Sequence, residues 1–122
     1  MTEQEKIQLA NLLVHSGAIQ FGDFTTKSGI KSPYFVNLGA LHQGDHLTLL
    51  GNFYAKTIIN RFTTLPTCIF GPAYKAIPLA VATSTSLTQL TQTSVSYTFN
   101  RKEKKDHGEG GIFVGLEPQK NQ

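Results

Sequence analysis

The chain has 122 residues, 39% of them hydrophobic, which suffices for one small domain with a core and is too short for two. A formal charge of +3 and a pI near 9.1 suit phosphate-bearing small ligands and fall short of the dense basic face of a nucleic-acid binder. The single cysteine, Cys68, excludes an internal disulfide and a cysteine-based zinc site. The N-terminus lacks a signal-peptide core and no apolar run reaches membrane-spanning length, so a soluble, cytoplasmic protein is expected.

Thr2-Glu3-Gln4-Glu5 has capping-box spacing, and Ile7, Ala10, Leu13 and Val14 recur at helical spacing until Gly17 stops the helix. Residues 18–25 read as extended, residues 26–33 as a tight loop rich in turn formers, and Tyr34 to Leu38 as a second strand, which together predict a hairpin. Asp45 is placed to cap a helix from His46 to Phe62, with Leu50, Phe53, Thr57, Ile58 and Phe62 as its stripe and Tyr54 widening it. Thr67 to Phe70 is a short continuous apolar run, as in a buried parallel strand, and Cys68 within it reads as a small buried hydrophobe. After the break at 71–75, a helix is predicted from Ala76 to Leu90, with Pro78 tolerable in its first turn. Ser94 to Phe99 alternates as a strand, which completes a βαβ unit and calls for a parallel sheet, and Ile112 to Val114 reads as a further short strand. Residues 117–122 are polar and read as a disordered tail.

Two stretches carry candidate chemistry. The segment from Asn100 to Gly111 has no apolar residue, holds Arg101, Lys102, Lys104, Lys105 and His107, and ends in a run with three glycines. By composition such a segment is more often a solvated connection than a mobile anion clamp, and Glu103, Asp106 and Glu109 reduce its net charge to +1 with His107 neutral, which argues against a general polyanion binder. It is expected to be the least ordered internal segment. Gly71-Pro72-Ala73-Tyr74-Lys75 lies between a parallel strand and the following helix, at the sheet edge where open α/β folds bind ligands. Backbone amides, the helix start and Lys75 favour an anion there, and an ordinary turn with a solvated lysine is equally compatible with position alone. His42 and His46 stand four apart without a third ligand, so a solvated pair is expected and no metal site.

Residue order narrows these alternatives. Asn100-Arg101-Lys102-Glu103-x-Lys105-Asp106-His107-Gly108-Glu109-Gly110 closely resembles the catalytic loop of orotate phosphoribosyltransferase, and Phe70-Gly71-Pro72-Ala73-Tyr74-Lys75 resembles that family's pyrophosphate-contacting turn. Lys27-Ser28-Gly29-x-Lys31-Ser32-Pro33-Tyr34-Phe35 is similar to its hood hairpin, whose lysine contacts ligand and whose two successive aromatics flank the orotate ring. Matching by position puts Lys27 in the lysine role and Phe35 and Val36 in the aromatic pair, with an aliphatic second member that covers less ring area. Ile30 stands where the family has a basic residue.

The resemblance implies an α/β fold of the type I phosphoribosyltransferase kind: a parallel sheet with an N-terminal helix and hood hairpin (1–43), the start of the α/β core with the catalytic loop 100–111 (44–116), and the tail. It implies transfer of phosphoribosyl from phosphoribosyl pyrophosphate to orotate, giving orotidine monophosphate and pyrophosphate in pyrimidine biosynthesis, with magnesium. Arg101, Lys102, Lys105 and His107 then fall on catalytic positions, Lys27, Phe35, Val36, Tyr74 and Lys75 on substrate-binding positions, and the loop acts across a homodimer. The likeness corresponds to the N-terminal half of the family. The acidic pair and glycine/threonine loop that cradle the ribose phosphate have no counterpart here, which implies a truncation, a fragment or a broken gene, inactive alone, with apolar sheet edge and helix faces uncovered. The rival expectation, supported by the same absence, is a non-catalytic remnant that binds anions or dimerises.

Overall fold

The computed structural model describes residues 2–103 and 112–118. The expectations for residues 104–111, which include Lys105 and His107, and for residues 119–122 lie outside the described residues.

Helix α1 (Glu3–His15) starts as its sequence dictates, with the Glu5 amide donating to Thr2 Oγ1 at 3.1 Å and the Thr2 hydroxyl donating to Glu5 Oε1 at 3.3 Å. It stops where Gly17 takes a positive φ of 85°. Its buried stripe differs from the expected one. Leu12 is buried with Leu9 and Leu13 beside it, whereas Ile7, Ala10 and Val14 face solvent, because α1 lays a single face on a core of Leu12, Ala18, Leu41 and Leu50.

Strands β1 (Ile19–Thr25) and β2 (Lys31–Val36) form the antiparallel hairpin, pairing Ile19 with Val36 and Phe21 with Tyr34, then shifting register before Phe24 pairs with Ser32. The strand β2 begins three residues earlier than expected and includes Pro33, which a two-stranded ribbon accommodates because, among the described residues, one side of each strand has no ladder partner. It also ends earlier: Asn37 Oδ1 accepts from the Gly39 amide at 3.1 Å and turns the chain into a short 3-10 helix, Leu38–Ala40.

Helix α2 (Gly44–Arg61) begins before the expected Asp45 cap. Gln43 is its N-cap without a side-chain bond, and Asp45 lies in the first turn, where its charge complements the helix dipole. Leu50 and Phe53 are buried as expected; Tyr54 is exposed, and Phe62 lies past the helix end, 57% exposed. The buried face instead includes Gly51 and Ala55, which let α2 approach α3 (Ile77–Thr91) closely: a Cβ on Gly51 would sit 2.6 Å from the Ala82 carbonyl oxygen. Pro78 occupies the first turn of α3, as anticipated.

Between these helices runs β3 (Cys68–Phe70), parallel to β4 (Ser96–Asn100), and β5 (Phe113–Gly115) closes on β4 antiparallel, giving the order β3-β4-β5. The βαβ unit read from the sequence is therefore present, and the sheet is mixed. Cys68 is half-buried, and burial pushes its thiol up from the ordinary value of 9.0. Among the described residues no helix is long and apolar enough to cross a membrane.

Candidate functional site

Strands β3 and β4 run parallel, so their carboxyl ends, Phe70 and Asn100, open on the same edge of the sheet. The turn 71–76 leaves the first and Arg101-Lys102-Glu103 leaves the second. Gly71 permits the turn. A Cβ there would lie 2.6 Å from the Ala76 carbonyl oxygen and 2.7 Å from Ala80 Cβ, so only glycine lets the strand end meet the first turn of α3.

Two bonds tie the turn to β4. The Gly71 amide donates to the Thr98 carbonyl at 2.9 Å, and the Ala73 amide donates to Asn100 Oδ1 at 2.9 Å, across 27 residues of sequence. Tyr74, 65% exposed, presents its ring to Lys102, whose Nζ lies 5.3 Å from the ring centroid, a cation–π distance. Lys75 follows, exposed. Arg101 is anchored to β5: its amide donates to the Ile112 carbonyl at 2.5 Å and its Nη1 to the Phe113 carbonyl at 3.3 Å. A cavity of about 420 Å³ opens here, lined by Tyr74, Asn100, Arg101, Lys102, Glu103 and Val114 among others. Arg101 and Lys102 at the cavity, Lys75 on the adjoining turn and the start of α3 make an environment for a phosphate-sized anion, offset in part by the Glu103 carboxylate.

The structure thus brings Tyr74, Arg101 and Lys102 together at one cavity, with Lys75 exposed as the next residue of the turn and outside the cavity lining. Among the described residues it does not bring the hairpin residues to them: β2 packs on β1, and β1 packs on β2 and α1. Lys27 is exposed in the loop between the strands. Phe35 packs on Phe24, with ring centroids 5.7 Å apart. Val36 lines an apolar cavity of about 290 Å³ with Leu9, Leu13, Leu50 and Phe53. Successive residues of a strand point to opposite faces, so Phe35 and Val36 address different surroundings. Among the described residues no three His, Cys, Asp or Glu side chains come together. Asn100 went without a role in the sequence reading. The signal available was a polar, forked side chain at the last position of a strand, directly before a cation pair.

A mixed sheet with a βαβ core, an anion-compatible turn at its carboxyl edge, a helix and a hairpin ahead of it define a partial α/β domain of the type I phosphoribosyltransferase kind. A crystal structure of orotate phosphoribosyltransferase from Francisella tularensis superposes with a TM-score of 0.72 at 38% identity, covering 90% of this chain and 50% of that one. An orotate phosphoribosyltransferase of Bifidobacterium longum is 50% identical over 120 residues, 94% of this chain and 52% of the relative, and one of Ruthia magnifica is 46% identical over 119 residues, 98% and 56% respectively. The chain's homologues are orotate phosphoribosyltransferases, and it corresponds to an N-terminal portion of them. It spans about half the length of the curated relatives it matches. No family model matches the chain.

Proposed function

We propose that the chain supplies the pyrophosphate-binding edge of an orotate phosphoribosyltransferase, which moves phosphoribosyl from phosphoribosyl pyrophosphate to orotate and releases orotidine monophosphate and pyrophosphate. The observation that carries the reading is the meeting of the 71–75 turn with Arg101 and Lys102 at the carboxyl ends of two parallel strands. The names of the relatives, at up to 50% identity, support the substrate class. In such a displacement negative charge builds on the departing pyrophosphate, so Lys75, Arg101 and Lys102 stabilise it, joined in this proposal by Lys105 and His107. Lys27 and Phe35 are proposed to meet the pyrimidine, and Val36 to support the hairpin from its apolar side. Magnesium would accompany the phosphates of the donor, since that ion commonly binds through substrate phosphates and waters. A homodimer in the cytoplasm belongs to the same reading.

The test is a chimera in which residues 1–118 replace the corresponding portion of the Bifidobacterium longum relative, assayed by orotate consumption with donor and magnesium. Turnover is expected, and Lys105→Ala, Lys75→Ala or Lys102→Ala should each lower kcat by at least about tenfold through lost charge stabilisation. A folded chimera without turnover, or variants that keep full kcat, would refute the reading. The 122 residues assayed alone are expected to give none, since the relatives carry about as much chain again.

A further inference from the structure

We propose that Asn100 is a positioning residue: through its bond to the Ala73 amide it sets the two cationic arms of the site in register with one another. The inference rests on the phosphate-binding reading above and adds a residue that acts without touching the anion.

The turn is fastened to β4 at two points of different kinds. The Gly71 amide bonds a main-chain carbonyl, that of Thr98, which any side chain at position 98 would leave in place. The Ala73 amide bonds a side chain, Asn100 Oδ1 at 2.9 Å, so this second fastening depends on the identity of one residue. The partner is an N–H, so the oxygen end of the carboxamide faces the turn. Asn100 is itself held, as the last residue of β4 and paired with Phe113 of β5, and the bond therefore refers the turn to the rigid sheet.

What the bond controls follows from the chain order. Ala73 immediately precedes Tyr74 and Lys75, and Asn100 immediately precedes Arg101 and Lys102. Fixing Ala73 on Asn100 fixes the distance between the roots of the two segments, Tyr74-Lys75 and Arg101-Lys102. It also sets the Tyr74 ring, the platform over which Lys102 Nζ sits at 5.3 Å. One hydrogen bond thus bears on Lys75 through the backbone and on Lys102 through the ring. The side chain's neutrality matters as well. An aspartate would accept the same hydrogen bond and place a negative charge among cations meant for an anion. Serine and threonine have shorter side chains and would not span the same gap from the strand.

The experiment uses the 122-residue chain with inorganic pyrophosphate as the probe at low salt, read by calorimetry, alongside amide hydrogen exchange at Ala73. Asn100→Ala should weaken pyrophosphate binding about three- to tenfold, the range of one lost hydrogen bond. It should accelerate Ala73 exchange and leave the salt dependence of binding unchanged, since no cation is removed. Lys75→Ala should instead make binding less sensitive to salt. Asn100→Asp should keep Ala73 protected and still weaken binding, which separates geometry from charge. In the wild type the Asn100 side-chain amide resonances should shift as pyrophosphate is added, a readout that holds if Asn100→Ala fails to fold. Unchanged affinity in a folded Asn100→Ala variant, unchanged Ala73 exchange, or static Asn100 resonances during wild-type binding would overturn the proposal. If Asn100→Ala exposes Ala73 and the wild type binds no pyrophosphate at all, the tie stands and the phosphate-binding reading fails.

Discussion

Gly71→Ala tests how the site edge is built. A Cβ at this position would stand 2.6 Å from the Ala76 carbonyl oxygen, 3.1 Å from its carbon and 2.7 Å from Ala80 Cβ. Two of these atoms are backbone of Ala76, the N-cap of α3, and the third is a methyl on a buried residue, so none can rotate away. Overpacking of this kind costs about 1–3 kcal/mol. Alanine also narrows the unfolded ensemble, which offsets about 0.5–1 kcal/mol. A net loss of about 1.5 kcal/mol, with an m-value of about 1.5 kcal/mol/M, lowers the urea midpoint by about 1 M. The assay is urea unfolding followed by far-UV circular dichroism. Gly44→Ala is the control, because nothing lies within 4 Å of its Cβ and it sits in the first turn of α2. It should raise the midpoint by about 0.3 M, from a gain of about 0.5 kcal/mol. If Gly71→Ala matched Gly44→Ala, the close approach of strand end and helix would not be limiting and the account of the turn would fail.

Two further outcomes are expected. Burial tends to raise the Glu5 carboxyl pKa, but the hydrogen bond and charge of Lys56, 3.3 Å away, together with the bonds to Thr2, outweigh it and hold the group below the ordinary 4.5. Its contribution to stability is therefore fully present above that value and disappears as pH falls through the lowered one, so Glu5→Gln should flatten the acid limb of a thermal-stability profile, and an unchanged limb would remove the α1–α2 ion pair from the account. Burial pushes the Cys68 thiol up, so alkylation at pH 8 should be slower in the folded chain than in urea, and equal rates would show the thiol to be open to solvent.

The hairpin, the two long helices and the βαβ unit were legible because turn formers and apolar periodicity are local signals. The helix faces were less so. Gly51 and Ala55 are buried not for their hydrophobicity but because α3 approaches there, and a stripe counted from large apolar residues passes over them. Likewise Ile7 and Val14 fit the period of α1 yet face away from the core, since periodicity does not say which of two adjoining faces finds a partner. At the proposed site, Tyr74, Lys75, Arg101 and Lys102 are singled out by charge and residue order. Asn100 escaped because its role lies in a bond to an amide 27 residues earlier, a juxtaposition that exists only once β3 and β4 are paired.

The edge formed by the 71–75 turn and the end of β4 is proposed to receive phosphate. Titrating pyrophosphate into the isotopically labelled 122-residue chain and following its amide resonances tests this directly. Shifts concentrated at residues 71–77 and 99–103, suppressed by salt and diminished in Lys75→Ala, are predicted. Shifts concentrated instead around Lys27 and Lys31 of the hairpin, or no saturable shifts at all, would contradict it.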